Sequence, residues 1–322
     1  MTSQNELPRK RPRIAPITKY IIVSINLAIL VAVAVWLRNN ISLDAVLVYL
    51  AGVPTSILVA VLILNILLMF AYGFRLACVI DQKLLPSLGT ILLGFGLQGI
   101  LPFRLGDLMK IVYANRFFRI PPGSLVAGTA LEKILDLATL SLIVIWASQG
   151  ATIAAVKDVG GTVVVLFLIG VALFVAALWS VHRWRRLVIG RADWLLDAVD
   201  LTLRNRKPRT LIAVIFWTAV IWFLTVATIY VVFSSLFEGF KLHDAAILSL
   251  ILSLAIALPG TPAGLGVVEA GVVGYLHQML NVDPNQALAA AFAFHFVTVI
   301  PQILAAVAII AWNWSLAFGR RK

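Results

Sequence analysis

The sequence predicts an all-α polytopic membrane protein, with about six full spans and two re-entrant helical hairpins in an inverted-topology repeat. Three observations carry that reading. The 322 residues are 61% hydrophobic and only 12% charged, where a soluble domain has about 25% charged residues. Six apolar runs reach the ~20 residues that a helix needs to cross a ~30 Å hydrocarbon core. Two more stop at 15 residues and run into proline and glycine. The composition excludes a soluble enzyme, and a disordered chain would need low hydrophobicity. The single cysteine, Cys78, excludes a disulfide scaffold and a cysteine zinc site.

The elements follow in order. Residues 1–16 form a basic tail, and Ile17–Leu37 is the first span. That run exceeds the 7–15 apolar residues of a signal peptide and lacks a small-residue cleavage site. Leu43–Leu50 reads as an interfacial stretch. The second span, Pro54–Ile80, closes at Asp81-Gln82-Lys83; the third is Ser124–Trp146 and the fourth Thr162–His182. Over 187–203, Asp193, Asp197 and Asp200 share one helical face, which fits a helix on the membrane surface or a plain solvated connector. Thr210–Phe237 and Gln286–Trp312 are the fifth and sixth spans, and 315–322 is a second basic tail.

The two short runs are Ser87–Leu101 and Asp244–Leu258. At 1.5 Å per residue each reaches roughly 22 Å, too little to cross. The first meets Pro102-Phe103-Arg104-Leu105-Gly106-Asp107 and resumes as Leu108–Phe118. The second meets Pro259-Gly260-Thr261-Pro262-Ala263-Gly264-Leu265-Gly266 and resumes as Val267–Leu280. Proline removes a helix donor and glycine permits a tight turn. Each stretch therefore reads as a re-entrant hairpin, with one kinked spanning helix as the alternative. The sequence 54–147 and the sequence 210–312 then share one grammar, with Leu101-Pro102 matching Leu258-Pro259 and Leu105-Gly106 matching Leu265-Gly266 across a three-residue insertion. Inverted repeats with broken helices are a recurring transporter plan.

Basic residues set the orientation. With the N-terminus in the cytoplasm, 22 of the 26 Lys and Arg fall on that side, Arg75 among them. Both termini are then cytoplasmic, and the net charge of +12 orients the chain in the membrane instead of marking a nucleic-acid partner.

Charges at membrane depth are costly and are candidate functional groups. Glu132, Lys133 and Asp136 lie in the third span, and Glu132 and Asp136 share a face. Arg104 and Asp107 lie in the first break with Lys110 one turn on; Glu269 follows the second break; His295, Thr298 and Gln302 form a stripe on the sixth span; Asn65 and Arg75 lie in the second. Four bases and four acids balance, which suits a zwitterionic or paired site or proton-coupled transport. A purely structural network fits as well, with Arg104 neutralising Glu132 or Asp136, and His295 as a satisfied core histidine. No metal-ligand cluster, P-loop or nucleophile–base motif is present in the sequence, so no metal and no cofactor are expected.

These residues resemble the lysylphosphatidylglycerol synthase transmembrane family, also called flippase-like domain proteins. The resemblance rests on Leu101 to Asp107, on Glu132-Lys133-Ile134-Leu135-Asp136, and on Pro259 to Glu269 with Pro262, Gly264 and Gly266. Asp107, where the family more often has Glu, and Thr261-Pro262 are mild departures. The resemblance implies a role in moving lipid between leaflets and an inner-membrane location. The chain ends eight residues after Trp314 without a soluble aminoacyltransferase domain, so lipid aminoacylation is not expected. The expected partners are membrane lipids, with a charged-headgroup lipid as substrate. Arg104 would contact headgroup phosphate; Glu132, Asp136 and Glu269 would gate or bind cationic parts. The competing classes are an integral-membrane transferase on a lipid-linked substrate and a non-catalytic assembly subunit.

Overall fold

The computed structural model describes residues 41–149, 208–257 and 261–318, together with Val35. The predicted first span apart from Val35, the fourth span, the surface helix over 187–203, Leu258, Pro259 and Gly260 lie outside the described residues. Nine α-helices are found among those described: α1 (Leu43–Ala51), α2 (Thr55–Ile80), α3 (Leu84–Ile100), α4 (Leu105–Phe118), α5 (Pro122–Gln149), α6 (Pro208–Leu236), α7 (Leu242–Ala257), α8 (Val267–Leu280) and α9 (Pro284–Phe318).

Their ends follow from local chemistry. The Ser42 hydroxyl accepts from the Ala45 N–H at the start of α1. Pro122, Pro208 and Pro284 open α5, α6 and α9, where a missing N–H costs nothing. Asp81, Arg119 and Asn281 adopt the left-handed conformation and stop α2, α4 and α8. Helix hydroxyls are satisfied internally, as where Thr218 donates to the Val214 carbonyl and Thr228 to that of Leu224.

By length and composition α2, α6 and α9 can each cross a membrane. α5 has 28 residues, about 42 Å of helix, but it carries Glu132, Lys133 and Asp136.

Both short runs fold as hairpins and not as kinked single helices. A Cβ on Gly89 would stand 3.5 Å from the Tyr113 hydroxyl, whereas 24 residues of continuous helix would separate them by about 36 Å. Tyr275 donates to Asp244 Oδ1 at 2.7 Å across 31 residues, a span of about 46 Å in one helix.

The two halves, α2–α5 and α6–α9, pack by one plan. α2 lies on α3 as α6 lies on α7, and α3 on α9 as α7 on α5. Likewise α4 meets α5 as α8 meets α9, and α2 meets α9 as α6 meets α5. The α2–α6 contact is its own counterpart. An exchange of halves therefore leaves these packing partners unchanged, while α1, packed on α9, stands outside the repeat. One buried apolar cluster centres on α6 to α9, with Phe233, Leu248, Val272 and Leu276. A second, with Leu76, Val79, Ala114 and Leu125, centres on α2 to α5.

The helix starts shift the alignment of the breaks. Arg104 caps α4 and Gly266 caps α8, so Leu105 corresponds to Val267 and not to Leu265. The second break is then five residues longer than the first, not three. A 3₁₀ turn over Pro262–Gly264, with Ala263 at φ 53°, occupies part of the added length. Asp107 and Glu269 become equivalent, each the third residue of its helix.

Candidate functional site

Arg75 is the centre of the buried charge. It sits on α2 with a side chain 2% exposed, flanked by Phe74, Leu76 and Ala77. Its Nη1 lies 2.5 Å from Asp136 Oδ1 and its Nη2 3.3 Å from Oδ2. Nε faces Glu132 Oε1 at 3.4 Å, and Nη1 reaches the Thr218 hydroxyl of α6 at 3.4 Å. The guanidinium carbon stands 5.2 Å from the Tyr72 ring centroid, within cation–π range. One side chain thus ties α2, α5 and α6 together. Lys133 Nζ approaches Asp136 Oδ2 at 3.9 Å from an exposed position, which brings the cluster to two cations and two carboxylates.

Two expectations are corrected here. Arg75 is not on the cytoplasmic surface but buried five residues before the end of α2. Arg104 does not neutralise Glu132 or Asp136, because Arg75 does. The shared face of Glu132 and Asp136 was legible from their spacing; Thr218 and Tyr72 were not, since no pattern in the chain pairs them with α5. The available signal for Arg75 was its flanking apolar residues, which continue the span beyond it.

The first break holds a separate group. Phe103 and Arg104 both have positive φ, 57° and 56°, a conformation costing non-glycine residues roughly 1–2 kcal/mol each. Lys110 Nζ pairs with Asp107 Oδ1 at 3.0 Å, while Arg104 Nε stands 4.0 Å from Oδ2. Arg104 Nε is shielded from solvent and makes no hydrogen bond to the described residues, although the side chain as a whole is 34% exposed. Lys110 and Arg104 against Asp107 leave one positive charge in surplus. Gly106 serves packing here more than turning: a Cβ on it would strike the Gly94 carbonyl oxygen and the Gln98 backbone nitrogen of α3. In the second break Gly264 and Gly266 do turn the chain, at φ 78° and 89°.

The second break brings Glu269 and His295 together. Glu269 Oε1 lies 2.5 Å from His295 Nδ1, and Oε2 accepts the Gly266 N–H at 2.6 Å. Both residues are buried. His295 is therefore paired, and the eight charges do not form one balanced pool. They fall into the Arg75 cluster, the Arg104–Asp107–Lys110 group and the Glu269–His295 pair. Asn65 of α2 joins the same stripe of α9, donating to the Thr298 carbonyl at 3.0 Å and accepting from Gln302 Nε2 at 3.4 Å. It does so beside Pro301, which interrupts the hydrogen bonding of α9.

Fold and site together define a helical membrane protein made of two exchanged halves, each with a hairpin, and with ion pairs in its interior. Over residues 22–306 the sequence matches the family described as Lysylphosphatidylglycerol synthase TM region, and the chain belongs to that family. It is also similar to the UPF0104 membrane protein MJ1078 of Methanocaldococcus jannaschii, at 27% identity over 215 residues, covering 65% of this chain and 90% of that protein.

Proposed function

We propose that this protein moves a lipid with a charged headgroup between the leaflets of the inner membrane, as a transporter and not an enzyme. The observation that carries the reading is the surplus cation at the first break. Arg104 is held at the hairpin turn in a strained conformation, with an Nε that makes no hydrogen bond to the described residues. A phosphate diester supplies the missing negative charge at the exposed part of the guanidinium, which matches it geometrically. Lys110 assists from the next turn. Lys133 stands exposed on α5, beside Asp136. The Arg75 cluster ties α2, α5 and α6 together. Acyl chains stay in the bilayer, and the orientation has both termini in the cytoplasm.

The test is dye-labelled phosphatidylglycerol exchange in vesicles carrying the purified chain, read by quenching of the outer leaflet. Arg104→Ala removes charge-assisted bonds worth about 1.5–3 kcal/mol each, so exchange is expected to slow about ten- to a hundredfold. Wild-type exchange by a folded Arg104→Ala chain refutes the assignment.

A further inference from the structure

We infer that Glu269 and His295 form a proton-binding site whose occupancy decides whether the second hairpin is closed on α9. The inference rests on the transport reading only for what the proton drives; the site itself stands on geometry. Glu269 bridges two elements with its two oxygens. Oε2 holds the Gly266 N–H of the turn, and Oε1 holds His295 of α9 at 2.5 Å. The side chains are 1% and 5% exposed. Whatever changes the charge of this pair acts directly on the contact between the hairpin turn and α9.

The charge count gives the direction. A carboxylate beside a neutral imidazole carries −1, and one added proton brings the pair to zero. An uncompensated charge is costly to bury in a low-dielectric interior. The neutral pair therefore belongs to the closed, dry arrangement. Loss of its proton leaves a charge that needs water, and admitting water to Glu269 means parting the start of α8 from α9. The proton passes from water to the pair and back, with no other bond made or broken.

Among the described residues, no other titratable group is recorded in contact with the pair. α9 carries no other titratable group, and α3 carries none. On α8, Tyr275 is engaged by Asp244 of α7, with His243 3.3 Å from the same carboxylate; His277 contacts the Val282 carbonyl. On α2, Arg75 is held by Glu132 and Asp136, with Tyr72 beside it and Cys78 one turn on. The remaining titratable groups on neighbouring helices are Asp44 and Tyr49 of α1 and Arg209 and Tyr230 of α6.

The experiment uses the full chain in vesicles of phosphatidylethanolamine and phosphatidylglycerol, from about pH 5 to about pH 8, the range in which histidine ordinarily titrates. Infrared spectra with carbon-13 glutamate report the protonated carboxyl; the chain has only four glutamates, Glu6, Glu132, Glu238 and Glu269. Spin labels at Leu265→Cys and Phe296→Cys, in a Cys78→Ser background, report the distance from hairpin to α9. The label distance is expected to lengthen as pH rises, and the glutamate carboxyl spectrum to change in step with it. Glu269→Gln should abolish both changes and hold the short distance throughout. His295→Gln should move or remove the pH response of the label distance, which loss of a merely packed histidine would not do. A wild-type chain with neither response, or a folded Glu269→Gln chain that keeps both, overturns the proposal. If both responses occur but phosphatidylglycerol never exchanges, the transport reading falls and the proton site stands. If exchange occurs without either response, the reverse holds.

Discussion

Removal of Arg75 is the sharpest test of how the interior is held. Arg75→Met keeps the length of the side chain and deletes its charge. The guanidinium makes a two-pronged contact with Asp136, an ion pair with Glu132 and a bond to Thr218. Without it, two carboxylates whose side chains are only 6% and 15% exposed face each other, with Lys133 alone to offset them at 3.9 Å. Breaking a buried ion pair from one side costs about 3–5 kcal/mol, and the loss here falls in the upper half of that range because two partners are stranded. Neutralising the partners should remove most of the penalty. The triple variant Arg75→Met, Glu132→Gln, Asp136→Asn is expected within about 2 kcal/mol of wild type, since replacing a whole buried ionic cluster by neutral groups is often nearly neutral. Equilibrium unfolding in mixed detergent micelles, followed by the fluorescence of the nine tryptophans, gives both numbers. A stable Arg75→Met chain, or a triple variant no better than the single one, would refute the view that these charges hold one another.

Other consequences are smaller and equally direct. Gly106→Ala should cost about 3 kcal/mol, at the top of the range for overpacking, because its Cβ meets α3 backbone and not a yielding side chain. Gly274→Ala is the matched control: among the described residues nothing lies within 4 Å of its Cβ, so detergent unfolding should show a gain of about 0.5–1 kcal/mol from helix propensity. Asn65→Leu should cost about 1 kcal/mol, within the range measured for interhelical hydrogen bonds in membranes. A loss on the scale of Arg75→Met would show that the Asn65 bracket at Pro301 carries far more than one such bond.

Much of the fold was legible because a bilayer punishes exposed backbone and charge so heavily. Apolar run length alone marked α2, α6 and α9, and the two runs too short to cross marked both hairpins. Two starts moved by three residues: α3 begins at Leu84 and not Ser87, and α4 at Leu105 and not Leu108, each just after a non-helical cap residue, Lys83 and Arg104. The candidate residues at the first break were also legible, since Arg104, Asp107 and Lys110 are neighbours along one turn. Their partners were not. Arg75 lies 57 residues before Glu132, and Glu269 lies 26 before His295, so no local spacing joins them.

The sequence by itself determined the class of the protein, its helices, the doubled plan of its halves and the family to which it belongs, because hydropathy, proline and glycine act over a few residues. Only the tertiary structure decided which charges meet. That choice depends on helix rotation and on the depth at which α2 crosses α5 and α8 crosses α9. A change of one residue in helix phase turns a side chain by about 100°, enough to exchange one partner for another, and such phases are set by packing across the whole bundle.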